Sequence, residues 1–318
     1  MKKLLLSVFI AFLLPINVFA YSNYIIPGGN TLGIEIQSNG IMIIGFYQIN
    51  GKYNKGNPTL KAGDYIMMVN GESIGNVKGL TNYIEKNIDN NIILTIKRDG
   101  KLKNVNLDLI KDGNLYKTGL YVKDSITGIG TLSYIDPETR IFGALGHEVI
   151  ESNTKSLVEI KTGRIFRNYI TSIEKSSRGY AGSKNAKFYY SDKYGEITKN
   201  TTNGIFGIYN NDINHIEKME IGDAHLGKAE IRTVLDGEII NNYKINITGI
   251  KNNGNKNIVF TIVDEKLLDI TGGIVQGMSG SPIIQDEKIV GVVTHVVIDS
   301  PQNGYGLFIK TMLEEGEK

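Results

Sequence analysis

Gln276-Gly277-Met278-Ser279-Gly280-Ser281-Pro282-Ile283-Ile284 is the stretch on which the reading of this chain turns. A serine stands between glycines, a proline follows, and an apolar strand comes next. A nucleophilic hydroxyl needs a tight turn that projects it while neighbouring N–H groups converge. Gly277 lets the backbone approach a substrate carbonyl with no Cβ in the way. The N–H groups of Gly277 and Ser279 are then placed to bind the oxyanion formed when Ser279 attacks. Ser281 is a second hydroxyl in the turn, but the glycine arrangement favours Ser279. The competing reading is a Gly/Ser/Pro turn joining two strands.

A serine nucleophile needs a base, and histidine is the usual one near neutral pH. The chain has four: His147, His215, His225 and His295. His147 closes Phe142-Gly143-Ala144-Leu145-Gly146-His147, where small residues leave room for substrate and allow two barrels to meet. His215 reads as a solvated loop residue and His225 lies in a Gly/Asp/Ala turn. His295 sits within an apolar strand and reads as a core or groove-lining residue. His147 is the expected base. For the carboxylate that orients it, position leaves alternatives: Asp264 ends a strand predicted over 258–263, but it could instead cap a short helix over 265–268. Asp136 and Asp223 are rivals on the same grounds.

Composition narrows the chemistry. There is no cysteine, which excludes disulfides, thiolate metal sites and a cysteine nucleophile. His147-Glu148 begins like a zinc-protease motif, but no second histidine follows at the required spacing. No metal or organic cofactor is expected. A formal charge of +2 without a basic cluster argues against nucleic acid as a partner. The 318 residues fit two domains. Lys2 and Lys3 lead an apolar run over 4–14, and Val18-Phe19-Ala20 fits a cleavage site. Residues 1–20 are thus expected to be a signal peptide or an N-terminal membrane anchor, and the remainder to act outside the cytoplasm.

The body is mainly β. Short strands are predicted over 33–37, 41–46, 65–69, 92–97 and 105–110, with one amphipathic helix over 77–88. Residues 112–124 read as a linker. Beyond them come many short strands, and Asp236-Gly237 marks a hairpin. That pattern predicts a sandwich or a pair of barrels.

Two resemblances follow from these motifs. Ala62-Gly63-Asp64-Tyr65-Ile66-Met67-Met68-Val69-Asn70-Gly71, with Leu32-Gly33-Ile34 ahead of it, resembles a PDZ domain, expected over 21–111. The resemblance implies that Leu32, Gly33 and Ile34 form a carboxylate-binding loop beside an edge strand, which binds peptide C-termini by strand addition. Over residues 24–310 the chain resembles the stage IV sporulation protein B family of serine peptidases. Ile26-Pro27-Gly28-Gly29, the His147 stretch and residues 271–285 carry the likeness. It implies a chymotrypsin-like double β-barrel peptidase domain over 125–318, with Ser279 as nucleophile, His147 as base and Asp264 as orienter.

The same resemblance implies an endopeptidase secreted into the space between forespore and mother cell. There it would cleave itself and a regulatory subunit of an intramembrane protease complex, triggering late sigma-factor processing. An envelope quality-control peptidase and a non-catalytic PDZ scaffold are the alternative readings.

Overall fold

The computed structural model describes residues 21–86, 90–251 and 254–318. The expected export segment over 1–20 and the end of the predicted helix at residue 88 lie outside the described residues. Sixteen strands and three helices carry the argument below. Strands β1 (Tyr24–Pro27), β2 (Thr31–Phe46), β3 (Tyr65–Val69), β4 (Asn91–Arg98) and β5 (Lys101–Asp108) come first. Then follow β6 (Leu120–Ile135), β7 (Ile141–Ala144), β8 (Ile160–Glu174), β9 (Ser183–Thr201) and β10 (Gly204–Tyr209). The last group is β11 (Gly227–Val234), β12 (Ile240–Ile250), β13 (Ile258–Ile262), β14 (Pro282–Gln285), β15 (Lys288–Val296) and β16 (Asn303–Phe308). The helices are α1 (Val77–Lys86), α2 (Glu265–Thr271) and α3 (Ile309–Glu317).

The mainly β expectation holds, and its centre is a pair of barrels. In the second, β11, β12, β13, β16, β15 and β14 form a closed antiparallel ring. Alternate residues such as Ile231, Ile245, Ile247, Phe260 and Ile283 point inward and are buried. In the first, β2 pairs with β8, β8 with β9, β9 with β10, β10 with β7, β7 with β6, and β6 returns to β2. Its core contains Leu32, Ile34, Ile36, Leu132, Phe142, Ile165 and Ile205. Helix α3 clamps the two together, since Met312 and Leu313 pack with Tyr134 and Phe206 of the first barrel and Val292 and Leu307 of the second.

Strand β2 also serves a third body. Beyond the first barrel, residues 41–46 pair with β3 on one side and with residues 120–123 of β6 on the other. With α1, β4 and β5 they enclose a separate core that includes Ile43, Ile66, Leu80, Ile84, Leu94 and Val105. The predicted helical spacing is realised over Val77–Lys86: Leu80 and Ile84 face this core. The Gly-Asp pair of the 62–71 motif has a structural use. Asp64 is buried and takes a two-pronged hydrogen bond from the Arg98 guanidinium, at 2.6 Å to each oxygen, plus the Lys61 N–H. A charge-assisted fork of this kind ties the turn to β4.

The sheets divide the chain differently from the expected boundaries at 111 and 124. The first barrel takes its closing strand from residues 31–37, so the small α/β body is inserted into it rather than placed ahead of it. Gln37 lies opposite Ser125 in register, which makes the insertion the tip of a long hairpin. Residues 120–123 of the expected linker are strand, held against residues 42–46. Leu120 is buried there and accounts for the order: its side chain completes the inserted body's core.

Candidate active site

Ser279 sits in a turn with two left-handed glycines, Gly277 at φ 95° and Gly280 at φ 92°. Such backbone suits glycine, and Gly280 has a second reason. A Cβ there would meet the Thr131 carbonyl at 2.2 Å, so the first barrel closes directly on the turn. Thr131 of β6 holds the turn by two bonds: its N–H donates to the Ser279 carbonyl at 2.9 Å and its hydroxyl to the Gly277 carbonyl at 2.7 Å. From the second barrel, the Gly280 N–H donates to the Val293 carbonyl at 2.7 Å. The turn is thus pinned from both barrels at once.

His147 approaches from the first barrel. Leu145 and Gly146 both take left-handed backbone, at φ 71° each, and swing the imidazole off the end of β7. A Cβ on Gly146 would meet the side chains of Thr294 and Val292 at 2.9 Å, which confirms the expected use of small residues where the barrels meet. The His147 Nδ1 lies 2.8 Å from the Glu148 carbonyl. A carbonyl only accepts, so Nδ1 carries the proton and Nε2 is left as the basic nitrogen.

His147, Gly277 and Ser279 line one cleft of about 450 Å³. Its other walls are largely aliphatic, from Ile34, Ile126, Ile129, Leu145, Val149 and Ile150. The N–H groups of Gly277 and Ser279 have no acceptor among the described residues, which leaves both available to an incoming oxyanion. The Ser279 hydroxyl donates to the Thr294 carbonyl at 3.0 Å, so it rests on the second barrel. A larger groove of about 1030 Å³ lies on the outer wall of the second barrel and holds none of these residues.

Asp264 is not brought to His147. One oxygen caps α2, accepting from Leu267 N at 3.0 Å, and the other accepts from Lys244 N of β12 at 3.1 Å. It does not line the cleft. The capping alternative therefore describes it, because the chain turns straight from β13 into α2. Asp136 and Asp223 are elsewhere as well. Asp136 is buried and accepts from Ser22, Glu138 and Thr139, and Asp223 pairs with Lys310 at 2.6 Å. His225 pairs with Asp286 on the surface at 2.7 Å.

Leu32, Gly33 and Ile34 do not form a carboxylate loop. They are buried near the start of β2, paired with residues 128–130 on one side and with residues 165–167 on the other. No free edge remains for strand addition there. Gly33 is required for packing: a Cβ would lie 2.2 Å from the Phe166 ring. Ile34 does reach function by another route, as a wall of the cleft.

Two residues were not singled out as functional from sequence. His295 stands beside His147, with ring centroids 5.3 Å apart. Its strand reads as apolar core, and it is hydrogen bonds between distant residues, from Gly280 to Val293, Val293 to Ser281 and Ser279 to Thr294, that place the strand at the turn. Lys184 on β9 is buried behind the turn, its stem against Gly277 and its ammonium 3.0 Å from the Thr233 hydroxyl. Burial lowers its pKa to about 7. Nothing in its sequence setting separates it from a solvated lysine.

Among the described residues no group of three or more histidines and carboxylates is placed to hold a metal ion. No curated protein and no solved structure matches the chain. Residues 114–313 match the family model of the SpoIVB peptidase S55, and these residues hold the Ser279 turn, His147 and all of the second barrel. That stretch is well over half of the chain, so the chain belongs to the SpoIVB peptidase S55 family, a family of serine peptidases.

Proposed function

We propose that the chain is an exported serine endopeptidase in which Ser279 attacks the peptide carbonyl and His147 acts as base. The observation that carries this is the meeting of Ser279 and His147, from opposite barrels, on one cleft lined by two unengaged N–H groups. Attack requires the Ser279 hydroxyl to leave the Thr294 carbonyl and donate to His147, which lines the same cleft. His147 Nε2 takes the proton, the serine oxygen bonds to the carbonyl carbon, and the oxyanion is held by Gly277 N–H and Ser279 N–H. The proton then passes to the departing amine, and water releases the acyl group by the same steps in reverse order. Each oxyanion donor contributes about 3–4 kcal/mol in comparable sites.

The aliphatic cleft walls support a substrate that presents an apolar side chain next to the cut bond, with a buried CH2 worth about 0.8 kcal/mol. The family membership supports a role in spore formation. In that reading the substrates are the chain itself and a regulatory subunit of an intramembrane protease complex, in the space between forespore and mother cell. The inserted α/β body is read as the PDZ unit. Its strand edge at residues 42–46 is already taken by residues 120–123, so a peptide ligand would have to use another surface or displace them. Incubation of the purified full chain, with N-terminal sequencing of fragments, tests the reading. Discrete fragments from the parent chain and none from Ser279→Ala are expected. Equal fragmentation of both would refute Ser279 as nucleophile.

A further inference from the structure

The site described above leaves one buried ionisable group without a task. Lys184 of β9 is 3% exposed, and its amine lies 3.0 Å from the hydroxyl of Thr233, itself fully buried on β11. The lysine therefore crosses from the first barrel to the second. On the way it underlies the oxyanion segment. The Lys184 N–H donates to the Gln276 carbonyl at 3.0 Å, and the Gln276 N–H donates to the Gly182 carbonyl at 2.8 Å. A Cβ at residue 277 would meet Lys184 Cδ at 3.1 Å, Ile129 Cγ2 at 3.2 Å and Lys184 Cβ at 3.3 Å, so the stem fills the floor beside Gly277. Thr233 lies two residues beyond the Ile231–Ile283 pair, on the side of the Ser279 turn. The amine bond thus ties the backbone that enters the turn to the barrel wall that receives it.

We propose that Lys184 is a positioning residue of the oxyanion hole, a strut fixed to Thr233 that sets the Gln276–Gly277 backbone so that the Gly277 N–H serves the cleft. The inference rests on the peptidase reading above. A buried amine with one partner costs stability that an aliphatic side chain of the same length would not, and a costly titratable group beside a cleft points to a use there. Desolvation lowers its pKa to about 7. The groups that face it are Ile173 across β8, Ile129 of β6, Thr233 of β11 and Gly277 of the turn, none of them titratable. The strut suits the uncharged amine. An ammonium carries three donors, and the Thr233 hydroxyl is its one acceptor among the described residues. Charging the amine below about 7 loosens the strut, and with it the hole.

The test uses a fluorophosphonate as probe on the full chain, with the rate of Ser279 labelling followed from acid to mild alkali. Lys184→Met keeps the length of the stem and removes the amine, while Thr233→Val removes the same bond from the other side. Each is expected to slow labelling by roughly tenfold above about pH 8. The double variant should be no slower than either, because all three lose one bond. The parent's advantage over Lys184→Met should shrink toward unity below about pH 6, where the parent amine is charged. Ionisation of the base is common to both chains and cancels in that ratio. Urea unfolding shows which variants are folded, and Thr233→Val carries the test if Lys184→Met does not fold. Parent-like rates in folded variants, additive losses, or a rate ratio constant with pH would each overturn the proposal while leaving the peptidase reading intact. No labelling of the parent chain would overturn that reading and this proposal with it.

Discussion

The two barrels have the same ring of six strands but are assembled from the sequence in different ways. The second is drawn from one uninterrupted stretch, residues 227–308. The first takes one strand from residues 31–37, then waits for the whole inserted body before residues 125–209 complete it. The barrel that carries Ser279 is thus local, and the barrel that carries His147 is not. Loop closure must precede the long-range pairings that reward it, so the first barrel bears the larger entropic cost of assembly. The difference also has a functional side. Strands β2 and β6 run from the inserted body straight to the cleft, where they supply Ile34, Ile126 and Ile129. The inserted body is coupled to the active site through two continuous strands.

The largest effect should come from cutting at the expected domain boundary. A chain of residues 112–318 holds the family-matched stretch but lacks the strand that closes the first barrel. It should lose cooperative unfolding and all labelling by a fluorophosphonate. Replacing residues 39–123 with a short turn joins Ser38 to Asp124, next to the paired Gln37 and Ser125, and should keep both barrels. Hydrogen exchange that shows a protected first barrel in the 112–318 chain would break the comparison.

At the site itself, Ser279→Ala and His147→Ala should each lower turnover by about 10⁴–10⁶-fold. The double variant should lose no more than either alone, because the two residues act as one unit across the barrels. Additive losses, measured on the self-cleavage rate, would separate them.

Lys184 probes the seam between the barrels through pH. In the unfolded chain its amine stays charged up to its ordinary value of 10.5, while the folded protein holds it neutral above about 7. Between those values the unfolded state binds the extra proton, so stability rises with pH. Below about 7 both states are charged and the full cost of burial remains. Lys184→Met removes that cost and should be more stable at neutral pH, by a few kcal/mol. Urea midpoints of the two chains should differ most near about pH 6.5 and converge toward about pH 10. A constant difference would show that this lysine is not neutralised by folding.

Packing gives a smaller contrast. Gly33→Ala forces a methyl onto Phe166 and should cost about 1–3 kcal/mol. Gly75→Ala in the inserted body meets nothing closer than 3.6 Å and should be near neutral. Asp264→Ala removes a helix cap and should cost about 1 kcal/mol with the labelling rate unchanged. A collapse of labelling in a folded Asp264→Ala chain would return the carboxylate to the site.

What the sequence made legible follows the same line between local and distant structure. The turn at Ser279 and the strand end before His147 could be read because adjacent residues form them: glycines that permit the turn, small residues that open the strand end. The helix around Leu80 and Ile84 shows its period within a dozen residues. Leu32, Gly33 and Ile34 misled because the motif around them is local, whereas their strand partners lie near residues 128–130 and 165–167. For Asp264, distance along the chain to Ser279 cannot tell an orienting carboxylate from a cap. His295 was hidden because a histidine in an apolar strand looks like core until the neighbouring strand is known.

The central claim is that two barrels bring one nucleophile and one base to a single cleft. Mass-spectrometric mapping of a fluorophosphonate adduct on the full chain tests it most directly. The account predicts a single adduct on the peptide that contains Ser279, absent from Ser279→Ala and strongly reduced in His147→Ala. An adduct on Ser281 instead, or equal labelling of the parent and His147→Ala chains, would contradict it.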